Sequence, residues 1–483
     1  MTPDVRRPSA LRRTALALAA LLIAVTAGYG CRQASAAEGD REAATYAFRN
    51  AVNDPPEGWN GPVFALSHDY PTELPAPCGP DECPWLGIDV DFSVDFDAPP
   101  ATWGETNWPA YIAAIRDYVR QGQDPMLSNA VGFQTEVDGQ DRWFHVPWMA
   151  YDPTVGREFV HGTTNERTSH LSDLLGANDR FGVNELPNTS AECADLYPEG
   201  FETWAVGVYN PTGGYAIGQS WPASGRPRIG TFEGSAMPAG LPFAEGTVVA
   251  KFLFTTAPVA CVPYLAGAPE WQVNRHVVQG DASKAHYTCP REVQTVRLVQ
   301  VDVAVVDERS PTRWVYGTFG FNGTIEATSI WDQLDPVGIQ WGSDPWTFPA
   351  VPRSESTAAR QTVLNDEINI YEHFGCEGRL AGPVDNEKSA CMACHASAYA
   401  APGGAVSAMG SNTPASFGFA GLCDRFTQQN ADYFQNNMAP AGYSGGQYPD
   451  ALNLDTSLQM WVAFSQYGQF NTAGAPAACQ MGG

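Results

Sequence analysis

The chain has 483 residues, of which 44% are hydrophobic and 17% charged, values of a folded protein too long for one ordinary domain. Acidic residues outnumber basic ones by 53 to 27, for a net charge of -26, and the only lysines are Lys251, Lys284 and Lys388. Such a surface repels phosphate backbones and anionic bilayers, so nucleic-acid binding is excluded as a role and basic or neutral partners are favoured.

The first residues read as an address. Arg6, Arg7, Arg12 and Arg13 precede the apolar run Ala15 to Ala27, and Ala34-Ser35-Ala36 supplies a small-residue cleavage site. This predicts a signal peptide over residues 1–36. Cys31 is the competing reading, a lipid anchor just past the apolar run, although Gly28-Tyr29-Gly30 departs from the box expected before it. Either way the expected location is outside the cytoplasm, in the periplasm or on the outer surface of a bacterium. No later stretch reaches transmembrane length. With Cys31, Cys391 and Cys394 set aside, eight cysteines remain, enough for up to four disulfides in an oxidising compartment. Cys78 with Cys83 closes a small loop, and Cys261 with Cys289 is the second expected pair.

Residues 41–345 read as a β-rich, sandwich-like body. Asp89, Asp91, Asp95 and Asp97 alternate with apolar residues, as on the acidic solvent face of an edge strand; a calcium site is the sharper alternative. Trp108 to Gln121 is the one clear helix, with Tyr111, Ile112, Ile115, Tyr118 and Val119 on one side. Phe144 to His170 crowds His145, Arg157, Glu158, His161, Asn165, Glu166, Arg167 and His170 together, either as a metal or acid–base cluster or as a polar loop of paired side chains. Asn210-Pro211-Thr212-Gly213-Gly214 predicts a hairpin turn between strands Trp204–Tyr209 and Tyr215–Trp221. Thr247–Thr255, Val296–Val306 and Arg313–Phe321 are further strands. The last two are expected to pair antiparallel, with Val299, Val301, Val303 and Val305 on one face.

Pro336 to Pro352 is rich in Trp, Pro and Gly and predicts a tether to a second, small all-α domain over residues 346–483. Its expected helices span Thr357–Phe374 and Asp455–Tyr467, the latter capped by Asp455 or Thr456. Between them lies Cys391-Met392-Ala393-Cys394-His395. Two cysteines three apart can form thioethers to both vinyl groups of a haem, and the adjoining histidine then reaches the iron as proximal ligand. A redox dithiol would want a βαβ setting, which is missing, and zinc would want a second ligand pair nearby.

From these residues the segment 355–470 resembles a class I c-type cytochrome domain, in the order helix, Cys-x-x-Cys-His, helices, ligand-bearing loop, terminal helix. The resemblance implies one covalently held haem c, with Cys391 and Cys394 as attachment points and His395 as proximal ligand. It also implies a later methionine as distal ligand. Of Met409, Met438, Met460 and Met481, Met438 lies in the loop ahead of the terminal helix, where the family carries its sulfur ligand, while Met460 reads as core. The long loop Gly375 to Ser389, with Gly382-Pro383-Val384-Asp385-Asn386 and the extra Cys376, departs from small mobile cytochromes. The body that precedes this segment resembles bacterial exported proteins that end in a similar Gly-Pro-Val-Asp-Asn and Cys-x-x-Cys-His segment, a likeness that implies architecture and no activity. The expected function is single-electron transfer by an exported mono-haem cytochrome whose β domain docks a redox protein. Two alternatives are an oxidoreductase whose β domain oxidises a small substrate and passes electrons to the haem, and a surface-binding protein with a tethered cytochrome.

Overall fold

A computed structural model describes most of residues 57–146, 163–221, 242–276, 291–343, 359–400 and 444–464, with the short strands 151–152 and 156–157 and Phe434. The molecule is mainly β, with few helices. Eight strands form one antiparallel sheet: β1 Thr164–Ser169, β2 Phe201–Tyr209, β3 Val248–Thr255, β4 Glu270–His276, β5 Arg291–Val306, β6 Trp314–Phe321, β7 Leu334–Gln340 and β8 Thr362–Leu364. Their order is β8-β7-β6-β5-β3-β2-β1, and β4 pairs with the first half of the long β5. The expected pairing of β5 with β6 is present, Trp314 opposite Val306 and Gly320 opposite Gln300.

Alternation along these strands gives the sheet two different faces. Val299, Val301, Val303 and Val305 of β5 join Val315, Phe319 and Phe321 of β6 in the larger core. Helix α1, Trp108–Val119, closes that face with Trp108, Tyr111, Ile112, Ile115 and Val119, an i, i+3, i+4, i+7, i+11 stripe. Trp108 stacks on Trp341 at 4.6 Å. The opposite face carries Ala304, Val306, Trp314 and Tyr316, which pack with Met392, Leu454, Met460, Trp461 and Phe464. The motif-bearing segment thus lies directly on the sheet.

Several expectations are corrected. Residues Pro211–Ser220 form helix α2 and not the second arm of a hairpin. Asn210 accepts a hydrogen bond from the Gly213 N–H at 3.1 Å, and Pro211 takes the first helical turn, so the Asn-Pro pair acts as cap and start, not as a turn. Within the predicted helix 357–374, β8 pairs with β7 instead, Val363 opposite Ile339. β-branched Thr362 and Val363 satisfy the open edge of β7, which outweighs a weak helical period. Residues 346–483 therefore contain strands, including the small sheet of β9 Tyr399–Ala400, β10 Ser444–Gly445 and β11 Tyr448–Asn453 in the order β9-β11-β10. The acidic run 89–95 keeps its alternating burial but pairs with no strand, and Asp91 caps the Ser93 N–H at 2.8 Å.

Cys78 bonds Cys83 as expected, but Cys261 bonds Cys193. The reason is topological: Thr203 of β2 lies opposite Thr255 of β3, so the chain just before β2 meets the chain just after β3. Cys289 lies outside the described residues. Among the described residues no helix is long and apolar enough to cross a membrane.

Candidate functional site

The site is assembled on the second sheet face by three pieces of chain. The first is the loop from Gly375 to Ala390. It folds back on itself through Cys376 N–H to Ser389 O at 2.7 Å and Cys391 N–H to Leu380 O at 3.0 Å. Cys376 is disulfide-bonded. At its tip, Pro383 sits at the second position of a turn closed by Asp385 N–H to Gly382 O at 3.0 Å. Gln300 of β5 holds that tip with both ends of its amide, donating to Asp385 at 2.9 Å and accepting from the Val384 N–H at 3.0 Å. A Cβ on Gly382 would lie 2.3 Å from the Gln300 amide, so this approach requires glycine.

The second piece is helix α3, Cys391–His395. Gln340 of β7 accepts from the Met392 N–H at 3.0 Å, and Met392 and Ala393 are buried. Cys391 and Cys394 are half-buried and carry thiols. Burial, followed by the charges of Asp385 and Asp302, pushes the Cys391 thiol well above its usual range, and Thr318 of β6 lies within hydrogen-bonding reach of it.

The third piece is the turn Leu454–Ser457 leading into helix α4, residues 458–464. Leu454 N–H donates to Ala398 O at 2.9 Å. The helix cap is Ser457, whose hydroxyl accepts from the Met460 N–H at 3.2 Å; it is neither Asp455 nor Thr456, which take left-handed φ of 50° and 64° in the turn itself. The His395 Nδ1 lies 2.9 Å from the Thr456 carbonyl oxygen, and the imidazole packs 4.7 Å from the Tyr316 ring. A carbonyl can only accept, so Nδ1 carries the proton and Nε2 keeps its lone pair. Burial lowers the imidazole to about 4, which keeps the ring neutral at pH 7.

Beside Cys391 the sheet presents an unexpected charged row. Asp302 of β5 accepts from Gln300 at 2.7 Å and from Thr318 at 2.8 Å. Lys251, directly opposite Asp302 on β3, is ion-paired to Glu166 at 2.6 Å. Burial works against the Lys251 charge, but Glu166, Asp302 and Asp385 outweigh it and raise its pKa. Burial first, and Asp385 second, push the Asp302 carboxyl up to about 8.

The structure thus brings Cys391, Cys394 and His395 onto one turn. Met438 lies outside the described residues, as do Met409 and Met481; Met460 is buried, in agreement with a packing role. Of the crowd over Phe144 to His170, the described residues His145, Glu166 and His170 lie in different surroundings. His145 is buried, which holds its imidazole neutral with a pKa near about 3, whereas Glu166 reaches Lys251 and His170 is exposed. Glu158 and His161 lie outside the described residues. Sequence reasoning missed Gln300, Asp302, Thr318, Gln340 and Lys251, whose only trace was a polar residue, single or two apart, within a largely apolar strand. Among the described residues no three or more His, Cys, Asp or Glu side chains gather as a metal cage. Two thiols and a neutral imidazole on one turn are nevertheless the donor set that a covalently bound haem requires. No family model, curated protein or solved structure matches this chain.

Proposed function

We propose that the chain is an exported protein that holds one haem c and passes single electrons, with the β body offering the docking surface for a redox protein. The finer fold reading belongs to the same proposal: a sandwich-like body joined to a small cytochrome c-like haem domain. The observation that carries it is the His395 imidazole, next in sequence to Cys394, neutral by burial and turned by the Thr456 carbonyl so that Nε2 would be the nitrogen offered to a metal. Bound there, the haem would supply an iron that cycles between ferric and ferrous states. Cys391 and Cys394 would fix it by thioethers, and Met438 would be the distal ligand. Tyr316, buried and with its ring 4.7 Å from the imidazole, would keep water from that side of His395. The excess of acid over base favours a basic or neutral partner. An export signal over residues 1–36, or a lipid on Cys31, would place this chemistry where covalent haem attachment occurs.

A substrate-oxidising enzyme remains the second reading because of the Asp302–Asp385–Lys251 group beside Cys391, an acid held protonated near neutral pH next to a cation. The test is production in a periplasm with haem-attachment machinery, followed by a pyridine haemochrome spectrum. Two thioethers are expected in the wild type and one in Cys391→Ala. Met438→Ala should lose the weak sulfur-to-iron band of ferric haem. A wild type without covalent haem would overturn the proposal.

A further inference from the structure

His395 is positioned by a turn that the chain forms only under constraint. Asp455 and Thr456 both sit at positive φ, a region that is costly for a β-branched residue such as threonine. Glycine would adopt it freely, yet neither position is glycine. The sheet side over-determines this conformation. The Asp455 carboxylate accepts from the Phe243 N–H at 2.9 Å and faces Arg313 at 3.4 Å. Tyr316 of β6 donates its hydroxyl to Thr456 Oγ1 at 2.7 Å, and that hydroxyl in turn donates to Asp455 O at 2.6 Å. Tyr209 of β2 and Ser457 share a hydrogen bond of 2.8 Å. What the strained turn delivers is one backbone carbonyl aimed at His395 Nδ1.

A carbonyl on the far nitrogen makes an imidazole a stronger donor to a metal, and the firmness of that contact sets the strength of the effect. On the haem reading given above, we propose that Tyr316 is a positioning residue: through Thr456 it fixes the carbonyl that polarises His395, so that the β-sheet sets the reduction potential of the haem. The sheet is then part of the redox centre and not only a docking surface. Tyr316 is buried, so its hydroxyl has no water to turn to, and Thr456 is the partner the geometry supplies. A firmly held carbonyl favours the ferric state, and loosening it raises the potential.

The test uses the full chain loaded with haem, with covalent haem quantified first. Absence of haem from the wild type would defeat the functional proposal and is read separately from the potential. Tyr316→Phe keeps the ring against His395 and removes only the hydroxyl. With haem content unchanged, it should raise the reduced-to-oxidised ratio at the wild-type midpoint about threefold or more, which is about 28 mV on a scale of 59 mV per tenfold for one electron. Thr456→Ala should shift the ratio in the same direction, and Thr456→Ser, which restores the hydroxyl, should return it to the wild-type value. If Tyr316→Phe does not accumulate, the two Thr456 variants decide. A wild-type potential in Tyr316→Phe, or equal shifts in Thr456→Ala and Thr456→Ser, overturns the inference.

Discussion

Asp302→Asn should stabilise the protein at mildly alkaline pH and leave it unchanged in acid. In the folded chain one Gln300 amide nitrogen donates to two carboxylates, Asp302 at 2.7 Å and Asp385 at 2.9 Å, while the nearest cation, Lys251, is already paired with Glu166. Burial and the Asp385 charge raise Asp302 from 3.8 to about 8. Below the lower value the folded and unfolded chains both bind the proton, and Asp302 adds no pH dependence. Between the two values the unfolded chain releases its proton and the folded chain keeps it, so stability falls as pH rises, then levels off above about 8. At ~1.4 kcal/mol per pH unit the fall by pH 7 has a ceiling of about 4 kcal/mol. Because Asp302 is only half-buried, solvent screening reduces this to about 2 kcal/mol. Asparagine keeps the Oδ1 acceptor for Gln300 and Thr318 and carries no charge to desolvate. Urea unfolding followed by tryptophan fluorescence, at about pH 3 and about pH 8, should give matching midpoints for the two proteins in acid and a higher midpoint for Asp302→Asn in base. A variant that is less stable at the higher pH, or that loses stability with pH as steeply as the wild type, would refute the argument.

Two further substitutions probe how the site is supported. Gly375→Ala puts a methyl 2.5 Å from Ser389 O and 3.0 Å from Arg379 O, opening the loop that delivers Cys391. It should cost about 1–3 kcal/mol in urea unfolding and lower the yield of covalent haem, whereas Gly79→Ala, with nothing within 4 Å, should do neither. Cys193→Ser breaks a bridge between residues 68 apart and should cost about 4 kcal/mol by loop entropy, and peptide mapping of the unreduced wild type should recover Cys193 joined to Cys261.

The parts of the fold legible in the sequence were those where one element meets one clear environment. The stripe of α1 and the four valines of β5 each face a single apolar core, so their periods, 3.6 and 2, survive in the sequence. The Cys-x-x-Cys-His turn was legible because its five residues are contiguous in sequence, so their grouping on one turn needs no long-range contact to be seen. The other face of β5 was not legible. Gln300 and Asp302 look like solvent-facing positions, yet the loop tip at Asp385 covers them, and a covering element more than eighty residues away leaves no local mark. Asn210-Pro211 misled because the same pair starts either a turn or a helix, and the choice was made by packing: a Cβ on Gly214 would lie 2.6 Å from Phe144. Cys261 misled because the nearest cysteine in sequence is not the nearest across β2 and β3.

The five residues of α3 also show where the geometry of the motif comes from. A single helical turn is not stable in water on its own, because nucleation fixes several dihedrals for one hydrogen bond. Here the turn has no side-chain cap, and it is held from outside by Gln340 on the Met392 N–H, Leu380 on the Cys391 N–H and the burial of Met392 and Ala393 against the sheet. Its last residue, His395, is fixed by a turn that the sheet tyrosines secure. The spacing of two thiols and an imidazole is therefore set by β5, β6 and β7 as much as by the motif itself. A change deep in those strands, such as loss of the Gln340 amide, acts on the site at short range although it lies fifty residues from it in the chain.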